Sequence, residues 1–255
     1  MLTFTAQSKF TLYSLFKKEI SSFFSSITGY VVILVFLCAT GLIIWVFPAT
    51  DFNIIENGYA NLDSFFILAP LLFLFLIPAI TMKMFAEEQK SGTIELLLTK
   101  PLSDLQIVTA KYTSAVLLVV SALIPTIVYL LSIYFLASPK GNIDLAGISG
   151  SYIGLLFLCS AFVSIGIFCS ILSNNQIVSF ILAVIFSFFF YSGFEFLSSI
   201  INVSSISNLF ALMGISAHYT SLSRGVIDSR DLIYFISLTL LFLFLSRFLL
   251  EKRKW

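Results

Sequence analysis

The stretch SFFILAPLLFLFLIPAITMKMFAEEQKSGTIELLLTKPLSD, residues 64–104, changes character halfway along. Residues 64–82 are almost wholly apolar and long enough to cross a bilayer as a helix, which takes roughly 20 residues. Residues 85–104 then carry three glutamates, two lysines and an apolar cluster of Ile94, Leu96, Leu97 and Leu98. A loop that only joins two membrane helices has no need of that pattern. The first half decides the fold, and the second poses the question of function.

Working outward, the same apolar texture recurs. Of 255 residues, 59% are hydrophobic and only 11% charged, with mean hydropathy +1.04. Soluble domains carry about 25% charged residues, so a water-facing globule is excluded. Six runs have spanning length: 29–47, 64–82, 109–136, 149–172, 176–197 and 232–250. The runs are continuous, whereas strands of a membrane barrel would alternate with period two, so an all-α polytopic membrane protein with six transmembrane helices is expected. One domain is expected over 1–255. No cleavable signal is evident, because the first 28 residues are amphipathic rather than a charged stretch followed by an apolar core.

Lysine and arginine counts orient the chain. Lys9, Lys17 and Lys18 precede the first run, Lys83, Lys90, Lys100 and Lys111 surround the second loop, and Arg247, Lys252, Arg253 and Lys254 end the chain. Those 11 of the 14 basic residues share one face if six spans alternate, leaving Lys140, Arg224 and Arg230 opposite. The positive-inside rule then places both termini and residues 85–104 of this multi-pass protein in the cytoplasm.

Before the first span, Phe16, Ile20, Phe23 and Ile27 recur at helical spacing, with Lys17, Lys18 and Glu19 on other faces. The pattern predicts an N-terminal amphipathic interfacial helix over 8–28. Pro70, Pro78 and Pro125 interrupt spans and either shape a pathway or adjust packing. Gly150 and Gly154 are spaced for close helix contact. Residues 196–231 mix short apolar pieces with Ser, Asn and Gly on the outer side, which suits re-entrant or interfacial helices between spans five and six. Glu195, near the outer end of span five, is a candidate pathway residue because carboxylates within membranes are functional by default. Cys38, Cys159 and Cys169 fall inside spans without paired spacing, and one histidine, His218, offers no ligand cluster, so no metal is expected.

Residues 93–99 can form about two helical turns after Gly92. Pro101 stops that helix, and Ser103 with Gln106 has the capping-box spacing that opens the next one. A helix so short needs something to pack against. It either tucks its leucines under its own membrane domain or docks into a groove of a soluble partner.

FAEEQKSGTIELLLTKPLSDLQIVTAKY, residues 85–112, resembles the cytoplasmic coupling-helix signature of ABC-2 type transporter permeases. Glu88, Gly92, Thr93, Glu95 and Leu97, followed by Pro101, Leu102 and Ser103, carry the likeness. The amphipathic start, six spans and outer membrane-dipping segment match too. Residues 76–112, 141–158, 175–184 and 223–235 are further similar to gliding-motility permeases of that family.

The resemblance implies a non-catalytic permease subunit of the bacterial inner membrane, working with an ABC ATPase dimer and with an auxiliary membrane subunit, a second permease copy or both, in the lipid bilayer and without nucleic acid. It implies ATPase-coupling roles for Glu87, Glu88 and Glu95 as polar contacts and Ile94, Leu97 and Leu98 as an apolar knob, around Gly92, Thr93 and Pro101. No Gly-Lys dipeptide occurs, so a phosphate-binding loop is absent and ATP with its magnesium belongs to the partner. The spans are apolar and aromatic, with 29 Phe in the chain, which disfavours a wide aqueous channel. Export of a lipid-like or peptide substrate stays open, as does a non-transporting role that relays ATP-driven movement to a motility or envelope-assembly machine. An intramembrane enzyme is disfavoured, since no Ser/His, paired-Asp or HExxH arrangement lies within the spans.

Overall fold

The computed structural model describes residues 2–48, 51–201 and 204–252, with side chains from residue 12 onward apart from 204 and 205. The basic side chains Lys9, Arg253 and Lys254 lie outside that description. Fourteen α-helices run in the order α1 Leu2–Ser25, α2 Ile27–Gly41, α3 Ile54–Asn57, α4 Asp63–Thr81, α5 Lys83–Lys90, α6 Thr93–Leu98 and α7 Asp104–Leu123. They continue as α8 Ile127–Leu136, α9 Leu145–Leu172, α10 Gln176–Phe188, α11 Phe194–Ile200, α12 Ser204–Met213, α13 Ile215–Leu222 and α14 Ser229–Lys252. No strand occurs among the described residues.

Six helical stretches are long and apolar enough to cross a membrane: Ile27–Val46, Asp63–Lys90, Asp104–Leu136, Leu145–Leu172, Gln176–Ile200 and Ser229–Lys252. Their breaks have local causes. Thr40 returns its hydroxyl to the Phe36 carbonyl at 2.9 Å just before a π turn at Leu42–Val46. Pro125 has no N–H to continue the ladder, and a 3₁₀ turn at Ile124–Thr126 separates α7 from α8. A second π turn at Phe189–Gly193 joins α10 to α11.

The stretches containing α4 and α9 form the centre, 67% and 72% buried in their apolar windows, against 22% for the first and fifth spans. On these two helices the side chains of Phe65, Phe66, Phe73 and Phe162 are 0–1% exposed. Where α4 and α9 come closest, a Cβ on Gly166 would lie 2.2 Å from the Thr81 hydroxyl oxygen. The outward apolar faces, such as Leu34, Ile181 and Phe244, suit hydrocarbon rather than water.

The segment after span five folds into α12 and α13 and is pinned to the bundle. The left-handed Gly225 (φ 79°) lies against the Gly147 backbone, and a Cβ added at Gly150 or Gly154 would collide with Gly225 or Leu222. The small-residue spacing of span four therefore receives the Leu222–Gly225 turn instead of another span. Ser151 donates to the Ser223 carbonyl at 2.9 Å, and the buried Tyr219 hydroxyl donates to the Phe66 carbonyl at 2.8 Å. Burial pushes the Tyr219 phenol well above its ordinary pKa, which keeps it a donor. Asp231, at the start of α14, meets His218 Nδ1 at 2.7 Å and takes the Ser221 hydroxyl on its other oxygen.

One face differs from the sequence reading. On α1 the inward residues are Leu12, Leu15, Glu19 and Phe23, with Leu15 only 5% exposed, and they pack against α7. Glu19, expected on a polar face, points into the protein, with its side chain 11% exposed. Ile27 lies beyond the helix break, where Ser26 caps α2, and is 82% exposed. The rotation follows from a buried lysine on α7, described next.

Candidate functional site

Residues 83–104 form a folded unit rather than a loop. The second span bends at Met82 and continues as α5. Ser170 of α9 fills that bend: its hydroxyl accepts from the Phe85 and Ala86 N–H groups at 3.0 and 3.2 Å and donates to the Met82 carbonyl at 3.1 Å. Two amides at the head of α5 are thereby satisfied, as every helix N-terminus requires. Gln89 adds a second tie by donating to the Ile171 carbonyl at 3.1 Å.

α5 ends where Gly92 takes φ 71°, a left-handed conformation costly for any residue with a Cβ. The chain turns there into α6. Pro101 then lies beyond the end of α6, and Ser103 and Gln106 form a reciprocal capping box that starts α7, with Ser103 N–H donating to Gln106 Oε1 at 2.9 Å.

The electrostatic centre is Lys111. Its side chain is 0% exposed, and its ammonium donates to Glu19 Oε1 at 2.8 Å and the Met84 carbonyl at 2.6 Å, pairs with Glu88 Oε2 at 3.0 Å, and sits 4.9 Å from the Phe85 ring centroid. Lys18 closes the ring, 2.8 Å from Glu88 Oε1 and 3.7 Å from Glu19 Oε1. Burial pulls the Lys18 pKa down, but its hydrogen bond and charge interaction with Glu88, joined by Glu19, outweigh that and hold it above the ordinary value. Two carboxylates and two ammoniums thus balance one another, as ionic groups taken out of water require. The cluster ties α1, α5 and α7 together, while Ser170 and Gln89 tie α5 to α9.

The expected site residues divide between two sides of this unit. Leu97 is 5% exposed and Ile94 and Leu98 are partly buried, all packed on this chain's own core with Leu102 and Phe85. Glu88, with its side chain 13% exposed, is taken up by the lysines. The sequence reading offered Leu97 and Glu88 to a partner; the structure turns both inward. Glu87, Gly92, Thr93, Glu95 and Pro101 are exposed, as is Leu96 at 68%. Glu195 is also exposed and accepts from the Ser216 hydroxyl at 3.0 Å.

The residues missed from sequence are Glu19, Lys111, Ser170 and Gln89. Lys111 carried a signal: it fell inside the predicted third span, where a lysine needs an anionic partner. Its role as a loop charge in the orientation count hid that need. Among the described residues, no group of three or more His, Cys, Asp or Glu is placed to hold a metal ion.

The family model of the ABC-2 family transporter proteins matches residues 2–255. The chain belongs to the ABC-2 transporter family. No curated protein matches the sequence. Membership and the six apolar helices make this a multi-pass membrane protein, the membrane component of an ABC transporter. For an ABC-2 transporter protein, α5 and α6 are then of interest as a compact unit bonded to several spans while keeping one face free.

Proposed function

We propose that this chain is the permease subunit of an ABC transporter in which a separate ATPase dimer docks on α6, with both termini and α6 on the cytoplasmic side of the inner membrane. The observation that carries the reading is the two-sidedness of α6. Leu96 is 68% exposed with Glu95 beside it, while Leu97, the next residue, is 5% exposed on the core. A helix this short is marginal on its own, so the Leu97 side holds α6 on the core and leaves the Glu95–Leu96 side open to a partner. Closure of the ATPase dimer pulls on α6, and the Lys111 cluster and Ser170 pass the displacement to α1, α7 and α9 together. The ATPase must bind the two membrane states with different affinity for its ATP cycle to do this.

The partner set is an ATPase dimer binding ATP and magnesium, with a second permease copy or an auxiliary membrane subunit completing the membrane part. The stretches similar to gliding-motility permeases support a GldF-type role, with export or movement of a substrate across the inner membrane. A second reading, relay of force to a motility or envelope machine without transport, is favoured by the Phe65, Phe66, Phe73 and Phe162 packing that fills the bundle centre.

Co-expression with the ATPase of the same operon tests the docking claim. Leu96→Asp should abolish copurification while leaving membrane insertion and melting temperature unchanged. Full copurification of that variant with native ATPase activity would sink it.

A further inference from the structure

Between the end of α1, the start of α2 and the α4–α5 bend lies a cleft of about 400 Å³. Its lining includes apolar Phe23, Val32 and Ile80 together with polar Thr28, Lys83 and Glu87. It sits where the first spanning stretch begins, at Ile27, and therefore at a membrane boundary.

Charge accounting narrows what the cleft can take. Glu19, Glu88 and Lys18 also face it, but with Lys111 they form the balanced set of two carboxylates and two ammoniums. Two charges are left over. Lys83 donates to the Thr28 hydroxyl at 2.9 Å, and Glu87 stands one turn further along α5, exposed. Among the described residues neither has an ion-pair partner within 4.0 Å, including the other. One unpaired cation and one unpaired anion, about 6 Å apart along the helix axis, face the same space.

We propose that this cleft binds the headgroup of a zwitterionic phospholipid bearing a primary ammonium, of the phosphatidylethanolamine class. The phosphate sits on Lys83 and the Thr28 hydroxyl, and the ammonium on the Glu87 carboxylate. The glycerol end leads over Phe23, Val32 and Ile80 into the bilayer. An anionic headgroup satisfies Lys83 but repels Glu87. A trimethylammonium headgroup has no N–H to donate to that carboxylate. Glycerophosphoethanolamine shares the polar chemistry without the chains, and the apolar wall favours the lipid.

The test is native mass spectrometry of the detergent-purified chain with equimolar phosphatidylethanolamine, phosphatidylglycerol and phosphatidylcholine of identical acyl chains. It needs no ATPase, so its failure is separate from failure of the docking proposal. The ethanolamine lipid should be retained in preference. Lys83→Gln and Glu87→Gln should each lower its retention about tenfold, the effect of one lost charge-assisted contact. Glu87→Lys should move the preference to phosphatidylglycerol, and Lys140→Gln, on the opposite face by the alternation of spans, should change nothing. Because Glu87 is exposed, its variants keep the fold, checked by an unchanged melting temperature. Equal retention of the three lipids, or an ethanolamine preference that survives both glutamine variants, overturns the site. Displacement of the lipid by equimolar glycerophosphoethanolamine overturns the lipid as its ligand.

Discussion

Replacing Lys111 with methionine removes the buried one of the two cations that both carboxylates share. Glu19 and Glu88, 11% and 13% exposed, are left with Lys18, whose side chain is 59% exposed. Removing one partner of a buried ion pair costs about 3–5 kcal/mol. Lys18 stays to offset part of that, so the lower end, about 3 kcal/mol, is expected. For a chain of this size, that lowers the melting temperature by about 6–12 °C. The assay is thermal unfolding in detergent followed by size-exclusion fluorescence, on single variants and on Lys111→Met combined with Glu19→Gln and Glu88→Gln. The combined variant has no buried charge left to strand and should recover most of the loss, since uncharged replacements of buried ion pairs are often near neutral. Glu19→Gln and Glu88→Gln should be non-additive, because both act on one ammonium. A Lys111→Met protein as stable as the native one, or three strictly additive losses, would refute the cluster as a shared structural tie.

Three other outcomes follow from the same geometry. Ser170→Ala strands the Phe85 and Ala86 amides in a buried setting and should cost about 1–3 kcal/mol, measured by the same thermal assay. It should also loosen the α5–α9 junction, read as faster amide exchange at residues 82–86. Gly225→Ala forces a Cβ to within 2.4 Å of the Gly147 carbonyl at a positive φ, so a loss of about 1–3 kcal/mol is expected, with protease access to the Leu222–Gly225 turn increased. Glu195→Gln removes a charge on an exposed surface while keeping an oxygen that can accept from Ser216, and should leave stability within about 0.5 kcal/mol of native in the thermal assay.

Much of the architecture is legible because lipid imposes it. Six continuous apolar runs admit few solutions other than six helices, and Gly92, Pro101 and the Ser103–Gln106 pair mark where the chain between two of them must turn. What could not be read depended on distant partners. Glu19 looks like a solvated charge until Lys111, 92 positions away, is placed beside it. Leu96, Leu97 and Leu98 are identical in chemistry, so only the packing of α6 reveals that the middle one is buried and the first exposed. Gly150 and Gly154 announced a close approach but not its partner, which is the Leu222–Gly225 turn. Ser170 gave no local signal, since serines are tolerated throughout membrane helices and its two amide partners lie 85 and 84 residues away.

The most direct test of the account is site-specific photocrosslinking from α6 in membranes containing the co-expressed ATPase. A photoreactive residue placed at Leu96 should crosslink to the ATPase subunit in high yield, and one placed at Leu97 should crosslink within the chain, to the neighbourhood of Phe85 and Leu102. Crosslinks from position 96 that stay within the permease, or reach only lipid, would contradict α6 as the docking element.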